Sequence, residues 1–376
     1  MVQCAGNRGW SLGRILNLRK LILSVHLAVG LIAGTFLLVL GLTGSVMAFE
    51  PELDRLLHPH LSYVAPSGRV LSLGEIGATV SKRFNGEPIV AYLPSEVPDL
   101  SSQVILPSGI VCVNQYTGEV LGTRARGETI FGFAHDLHVR LAAGDAGRAV
   151  MKWSGVAMLV SLASGVYLWW PMKRVRIRAQ RTGALWFDLH NSVGILALAP
   201  LLVLALTGTV TGFEDHAAAW LGKITRPSQS GGGPNRARPQ PAPGSPMITP
   251  DQAVLLARTE MPGAIPYRVQ MPRYGGAYRV SLDYPDDRVA GGRNLVAIDQ
   301  YSGGVISSSR SSDLSSSERI LATNEAIHTG EVLGMPSRIV VWLTSLLLPV
   351  QVMSGLLIWL RERRCSGTDR SVKGTP

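Results

Sequence analysis

Four long apolar runs stand out along a chain of 376 residues. They cover residues 21–48, 150–170, 193–213 and 339–360. Each run has about 20 mostly apolar residues or more, the length that a helix needs to cross a hydrocarbon core of about 30 Å. The pattern therefore predicts four transmembrane helices. Because the first run is too long for the apolar part of a signal peptide, we expect it to be retained.

Two long segments of mixed polarity lie between the first and second runs and between the third and fourth. Each opens with an amphipathic pattern typical of a helix, at residues 71–84 and 249–260. Short alternating runs typical of strands follow. The predicted strands are 88–93, 103–107, 110–115 and 119–122 in the first segment, and 265–271, 277–283, 295–299 and 304–307 in the second. The pattern predicts one small α+β domain in each segment.

The sequence of the first predicted span returns in the third. A shift of 164 residues aligns the two spans without a gap from His26 to Glu50. The shift pairs His26 with His190, Gly30 with Gly194, and Thr43-Gly44 with Thr207-Gly208. Such self-similarity at a fixed offset indicates an internal repeat.

The second and fourth spans form a similar pair at a shift of 190 residues. This shift pairs His138 with His328, Arg148 with Arg338, and Ser164-Gly165 with Ser354-Gly355. The two segments between spans also share related turns, "VNQYTGEV" and "AIDQYSGGV". We therefore predict that the chain arose by duplication of a unit consisting of a helix, an α+β domain and a second helix.

The distribution of basic residues predicts the orientation of these helices. The chain has a formal net charge of +10, and its Lys and Arg residues cluster in three segments at the ends of the spans. These segments fall on one side of a four-span protein, and an excess of Lys and Arg marks the cytoplasmic side. The positive charge is thus explained by topology, and we expect no nucleic-acid partner. The clustered residues are Arg8, Arg14, Arg19 and Lys20; Lys173, Arg174, Arg176, Arg178 and Arg181; and Arg361, Arg363 and Arg364.

Together these patterns predict a membrane α-helical bundle of four transmembrane helices with two external α+β domains. Both termini are cytoplasmic in this topology. The predicted order is a cytoplasmic N-terminus (1–20), a first span (21–48), an external domain (49–134), a second span with an external extension (135–170), a basic cytoplasmic loop (171–187), a third span (188–213), a second external domain (214–327) with a Pro/Gly-rich linker (227–246), a fourth span with an external extension (328–360) and a cytoplasmic tail (361–376).

The repeated histidines are the candidate functional residues. His26 and His190 both begin outward-going helices and therefore lie near the cytoplasmic face, whereas His138 and His328 precede inward-going helices and lie near the external face. Each face thus receives two histidines from different helices. Haem iron takes one axial ligand above and one below, and helix bundles build such sites from facing helices. The pattern predicts two haem b groups with these histidines as axial ligands. No CxxCH motif for covalent haem attachment occurs.

Other residues fit the same interpretation. Gly30 and Gly194 lie four residues after their histidines, on the same helical face, where a missing side chain would leave room for a flat ring. Arg148 and Arg338 follow the external histidines by ten residues and could pair with haem propionates, although they could equally act as interfacial anchors. The repeated Thr-Gly dipeptides are also explained by close helix packing.

Two alternatives for the histidines stay open at this point. His135 lies three residues before His138 and is its main rival as a ligand; His138 is preferred because it has a repeat partner. An interfacial histidine can also act without any cofactor, by hydrogen-bonding a neighbour at the membrane surface. Ionisable residues inside membrane spans nevertheless carry function by default.

Several stretches resemble the PepSY-associated transmembrane helix family of bacterial inner-membrane proteins. They are "VHLAVGL", "LTGSVMAFE", "HDLHVRLAAGDAGR", "SGVYLWWPMKR", "LHNSVGILALAPLLVLALTG" and "IHTGEVLG", and the resemblance extends from Arg19 to Arg364. Some members of the family are similar to iron-regulated reductases of ferric siderophores, with four spans, two periplasmic PepSY-like domains and two histidine-held haems. The resemblance implies haem ligation at His26, His190, His138 and His328, location in the inner membrane, and electron passage from the cytoplasm to the periplasm.

The leading hypothesis is therefore a haem-dependent ferric-chelate reductase. It would receive electrons from a cytoplasmic or quinol donor, because no nucleotide-binding GxGxxG motif follows a predicted strand. One alternative is a non-enzymatic, membrane-anchored PepSY module that binds or inhibits a periplasmic protein or peptidase. A transporter is the third possibility and ranks last, because the spans lack the carboxylates that coupled carriers normally use.

Overall fold

The computed structural model describes residues 8–125, 129–171, 175, 182–225, 246–272, 276–285 and 294–372. The chain divides into a helical unit (1–48, 134–214 and 327–376) and a unit that contains a β-sheet (49–133 and 215–326). Several sequence predictions lie outside the described residues. They concern the basic residues Lys173, Arg174, Arg176, Arg178 and Arg181, and all of the linker 227–246 except Pro246.

Along the described chain, groups of helices and two groups of four strands follow one another. The α-helices are α1 (Arg8–Met47), α2 (Glu50–Leu57), α3 (Pro59–Ser62), α4 (Leu73–Arg83), α5 (Ile130–Arg140), α6 (Gly144–Trp169), α7 (Thr182–Leu196), α8 (Leu198–Gly212), α9 (Glu214–Ile224), α10 (Pro250–Glu260), α11 (Ser316–Thr329) and α12 (Met335–Val372). The strands are β1 (Ala91–Leu93), β2 (Ser102–Ile105), β3 (Gly109–Val113), β4 (Val120–Ala125), β5 (Ile265–Gln270), β6 (Ala277–Asp283), β7 (Asn294–Asp299) and β8 (Val305–Ser309).

The helical unit contains three helices that are long and apolar enough to cross a membrane. These candidate spans are Asn17–Met47 in α1, Gly144–Trp169 in α6 and Met335–Arg363 in α12. Most of their side chains stay outside the protein core, and large apolar residues such as Ile32 are largely exposed. Lipid can accept such surfaces, and a helix satisfies its own backbone hydrogen bonds there.

The third predicted span is not one straight helix. In the structure it consists of α7 and α8, which meet at Ala197 with a bend of 66°. Pro200 explains the break, because it has no N–H to donate to the carbonyl of Leu196 and its ring collides with that carbonyl. The described residues therefore contain three candidate spans, or four when the bent pair counts as one.

The second and fourth predicted spans are each preceded by a separate short helix. Between α5 and α6 the chain turns through Leu141 and Ala142, both with φ of 52°, and through Gly144 at 58°. Between α11 and α12 it turns through Gly330 and Gly334, with φ of 82° and 67°. Left-handed backbone of this kind ends a helix. The regions predicted as continuous extensions of the spans are thus helix–turn–helix segments.

In the sheet-containing unit, the eight predicted strands are present and form one antiparallel sheet. Its strand order is β4-β3-β2-β1-β5-β6-β7-β8. We expected two separate domains, but β1 and β5 pair with each other, with Ala91 opposite Gln270 and Tyr92 opposite Val269. Without this pairing β1 and β5 would each be an exposed edge strand, and edges of that kind invite further pairing.

Two helices of this unit, α4 and α10, contribute to its apolar core. Ile76 and Val80 of α4, and Ala253 and Ala257 of α10, are fully buried in a cluster with the strands. Each pair has the four-residue spacing that places side chains on one helical face. The amphipathic patterns at residues 71–84 and 249–260 are therefore explained by packing against the sheet.

Both helices start with the same capping arrangement. Ser72 with Glu75, and Thr249 with Gln252, form capping boxes that satisfy backbone N–H groups of the first turn. The two helix starts also meet each other. The carboxylate of Asp251 accepts hydrogen bonds from the backbone N–H of Leu73 (2.7 Å) and of Gly74 (2.9 Å).

We predict that Asp251→Ala weakens the first turn of α4. Two backbone N–H groups lose a charged acceptor, and hydrogen bonds to charged groups contribute about 1.5–3 kcal/mol each to stability. Hydrogen–deuterium exchange of peptides that cover α4 should become about 10-fold faster or more, since 1.4 kcal/mol corresponds to a factor of ten. Asp99→Ala removes an exposed carboxylate elsewhere in the same unit and should leave this exchange unchanged. Equal exchange in both variants would contradict the prediction.

Candidate functional site

Two of the predicted histidines meet inside the helical unit. His26 lies in α1 and His190 in α7, and their ring centres are 6.2 Å apart with an angle of 79° between the ring planes. Both side chains are partly buried. The first pair thus brings together residues that are 164 positions apart in the sequence.

The other two histidines form a second pair. His138 lies near the end of α5 and His328 near the end of α11, and their ring centres are 6.4 Å apart with planes at 52°. His135, the rival to His138, is exposed on α5, whereas the side chain of His138 is partly buried. Geometry therefore favours His138 over His135 as the partner of His328.

Every histidine of the two pairs uses its Nδ1 atom to contact a hydroxyl group on another helix. The distances are 2.9 Å from His26 to Ser164 Oγ, 2.9 Å from His138 to Thr43 Oγ1, 3.1 Å from His190 to Ser354 Oγ, and 3.0 Å from His328 to Thr207 Oγ1. Nδ1 of His190 also lies 3.1 Å from the backbone carbonyl oxygen of Gln351.

The glycine that follows each of these hydroxyl residues leaves room for the same histidine ring. A β-carbon added to Gly44 would lie 3.3 Å from Cε1 of His138, and one added to Gly208 would lie 2.9 Å from Cε1 of His328. At Gly165 and Gly355 the corresponding distances to His26 and His190 are 3.4 and 3.2 Å. The Thr-Gly and Ser-Gly dipeptides therefore contact histidine side chains directly, which sequence reasoning missed. The available signal was that all four dipeptides and all four histidines recur at the same two offsets.

The two glycines predicted to leave room for a flat ring differ from each other. Gly30 has no atom within 4 Å of an added β-carbon, so the space beside it is open. At Gly194 an added β-carbon would lie 2.5 Å from Nε2 of Gln351, so this glycine makes room for the Gln351 side chain. The Oε1 atom of Gln351 is buried and has no hydrogen-bond partner among the described residues.

The two predicted arginines also differ. Arg338 donates hydrogen bonds from Nε (3.2 Å) and Nη2 (2.8 Å) to the backbone carbonyl of Ala48, directly after the end of α1. A cation at this position suits the negative end of the helix dipole. Arg148 is exposed on α6. Pairing of either arginine with a haem propionate stays a prediction.

The spacing of each histidine pair fits two axial ligands on one metal ion. A ring nitrogen binds a metal at about 2 Å and the ring centre lies about 1 Å further away, so two such ligands place their ring centres roughly 6 Å apart. The observed 6.2 and 6.4 Å agree with this separation. Across the described residues, no group of three or more His, Cys, Asp or Glu side chains is arranged to hold a metal ion. Two histidines per site would suit haem iron, which needs no further protein ligand.

The protein combines long apolar helices with a separate antiparallel sheet. It is a membrane protein whose helical part contains two pairs of imidazole rings. Comparison with known sequences identifies its relatives. The chain belongs to the PepSY-associated transmembrane family: the family region described as the PepSY-associated TM region matches residues 23–362. A search of curated proteins finds no match to the chain.

We predict that Gly208→Ala destabilises the helical unit, because the new methyl group would overlap the His328 ring. Overpacking of this kind costs about 1–3 kcal/mol. Gly165→Ala should cost less, since its added carbon meets His26 at an ordinary contact distance. The thermal unfolding midpoint of the full chain in detergent measures both effects.

Gly222→Ala is the matched control for this series. Gly222 lies in α9 and has open space around an added β-carbon, so the exchange should be neutral or stabilise the protein by up to about 1 kcal/mol. If Gly208→Ala were as stable as Gly222→Ala, the close contact between Gly208 and His328 would be refuted.

Proposed function

We propose that the protein is a di-haem b electron-transfer protein of the bacterial inner membrane. It would pass electrons from the cytoplasmic side to the periplasm and reduce a ferric siderophore or another ferric chelate there. The observation that carries this proposal is the presence of two imidazole pairs, each from two different helices, at the separation of axial ligands.

The proposal includes a four-span topology derived from an internal duplication. The bent pair α7–α8 counts as the third span, and the basic segments place both termini in the cytoplasm. His26 and His190 then lie toward the cytoplasm, and His138 and His328 toward the periplasm. The contact between Thr43 of α1 and His138 supports this separation, because Thr43 follows His26 by seventeen residues, a rise of about 25 Å along a helix.

Each histidine pair would hold one haem b. A bound haem would supply one-electron chemistry between ferric and ferrous iron. The protein's own residues provide the ligands and an apolar surrounding that keeps water and ions out. A buried apolar cluster that includes Leu37 of α1, Met158 of α6 and Leu201 of α8 lies in the same helical unit.

A ferric chelate as substrate and a cytoplasmic or quinol donor would complete the proposed electron transfer. One electron added to a ferric chelate gives Fe(II), which hard oxygen ligands hold less tightly, so the iron is released. The electron must enter from a cytoplasmic partner or from quinol in the membrane, because the sequence has no nucleotide-binding motif of its own. Membership in a transmembrane family supports the location but assigns no substrate.

We predict that the purified protein contains two haem b per chain. His26→Ala and His138→Ala should each remove about one haem equivalent, because each variant would lack one of the two histidines that would hold that haem. Pyridine haemochrome quantification measures the loss. His135→Ala is the matched control, since His135 is exposed on the same helix as His138, and should retain both haems.

The same protein tests electron delivery. After anaerobic reduction with dithionite and removal of the excess, addition of a ferric chelate should restore the oxidised haem spectrum. A colourless protein from haem-sufficient cells would refute the proposal and favour the alternative, a non-enzymatic PepSY module that binds a periplasmic protein. Retention of both haems in His26→Ala and His138→Ala would refute the assignment of the ligands.

A further inference from the structure

We propose that Thr43, Ser164, Thr207 and Ser354 are positioning residues that fix the tautomer of the four histidines. Their hydroxyl oxygens would hold the proton of each imidazole on Nδ1 and leave the lone pair of Nε2 for a metal. This inference rests on the proposed function where it concerns haem, but the tautomers can be measured without haem.

The hydroxyl protons have acceptors of their own. Thr43 donates to the carbonyl of Val39 at 2.6 Å, and Thr207 donates to that of Val203 at 2.7 Å. Ser164 donates to the carbonyl of Val160 at 2.7 Å. A hydroxyl group has a single proton, so these three residues meet the histidine with an oxygen lone pair. In that arrangement the histidine is the donor, with its proton on Nδ1.

The contacts around Ser354 also indicate a proton on Nδ1 of His190. Its hydroxyl lies 3.1 Å from the carbonyl of Gln351, and Nδ1 of His190 lies 3.1 Å from the same carbonyl. A carbonyl oxygen can only accept. His190 must then carry a proton on Nδ1 whatever the orientation of the Ser354 hydroxyl.

This tautomer is the one that a metal ligand requires. A neutral imidazole has one N–H and one lone pair, so a proton on Nδ1 leaves Nε2 free to bind. Metal-bound histidines generally donate their other N–H to an acceptor, and loss of that acceptor lowers metal affinity about 10-fold to 100-fold.

Each contact between a histidine and a hydroxyl group joins two different helices. α1 carries His26 and provides Thr43 for His138, while α6 provides Ser164 for His26. α7 carries His190, and α8 provides Thr207 for His328. Because each hydroxyl lies on a different helix from its histidine, the orientation of every imidazole depends on correct helix packing.

The four histidines differ in their backbone acceptors, which makes the inference testable. His190 has the carbonyl of Gln351 as a second acceptor, and His26 has that of Ser161, so a side-chain substitution leaves one acceptor in place. Among the described residues, His328 makes this contact with the hydroxyl of Thr207. Thr207→Val should therefore have a larger effect than Ser354→Ala. A role in packing alone predicts the opposite order, because Ser354 is more deeply buried than Thr207.

The test uses the full-length protein with Thr43→Val, Ser164→Ala, Thr207→Val and Ser354→Ala, each with all histidines intact. Transfer of haem to apomyoglobin should accelerate about 10-fold to 100-fold in Thr207→Val and less in the other three variants. The midpoint potential of one haem should rise in each, because a less polarised imidazole stabilises ferric iron less well. Thr43→Ser should keep wild-type behaviour.

Thr344→Val is the matched control. Thr344 is buried in α12 and donates to the carbonyl of Val340 at 2.7 Å, as Thr43 does to Val39. Its replacement should change neither haem transfer nor potential. Wild-type haem transfer and potentials in all four test variants would overturn the inference, as would an effect of Ser354→Ala equal to that of Thr207→Val.

A second readout needs no haem and separates this inference from the proposed function. In haem-free protein labelled with ¹⁵N-histidine, NMR should show Nδ1–H tautomers for the four paired histidines, and Thr43→Val should disturb that of His138. If these tautomers are present but the protein never binds haem, the proposed function fails and the tautomer assignment stands. Proton occupancy on Nε2 in the wild type would overturn the inference directly.

Discussion

The helical unit depends on contacts between imidazole rings and hydroxyl groups across neighbouring helices. A polar side chain inside a membrane protein needs a partner, because lipid offers none and an unpaired group costs several kcal/mol. Here each imidazole ring packs against a glycine, and its Nδ1 atom contacts the hydroxyl group of the residue that precedes this glycine. The same contact satisfies the polar atom, orients the ring and holds two helices together.

Small residues make this arrangement possible. Helices in a membrane associate through close packing, and glycine allows the closest approach. Gly208 and Gly355 leave room for imidazole rings. Gly41 leaves room for the ring of Pro349, which lies inside α12. Gly194 instead admits Gln351, so the two halves of the helical unit are not identical around their first histidine pair.

The sheet-containing unit is held together by strand pairing and an apolar core. Its strands alternate between a face buried with α4 and α10 and a second face, as the sequence pattern indicated. The starts of α4 and α10 meet at Asp251, whose carboxylate accepts a hydrogen bond from the backbone N–H of Gly74. A β-carbon added to Gly74 would lie 3.3 Å from this carboxylate. Pairing between β1 and β5 makes one sheet out of two similar sets of four strands. This continuous sheet gives the unit a single core instead of two small ones.

The sequence by itself determined the apolar helices, the strands and the repeated histidines, because all of these are visible as local periodicity or as fixed offsets. It also contained the reason for the bend at Ala197, since Pro200 cannot continue the hydrogen-bond ladder of α7. Tertiary structure alone decided that β1 joins β5, that His138 rather than His135 faces His328, and that Thr43 contacts His138. These contacts link residues far apart in the chain, and which side chain faces a neighbour depends on how whole helices pack and rotate, which no local pattern encodes.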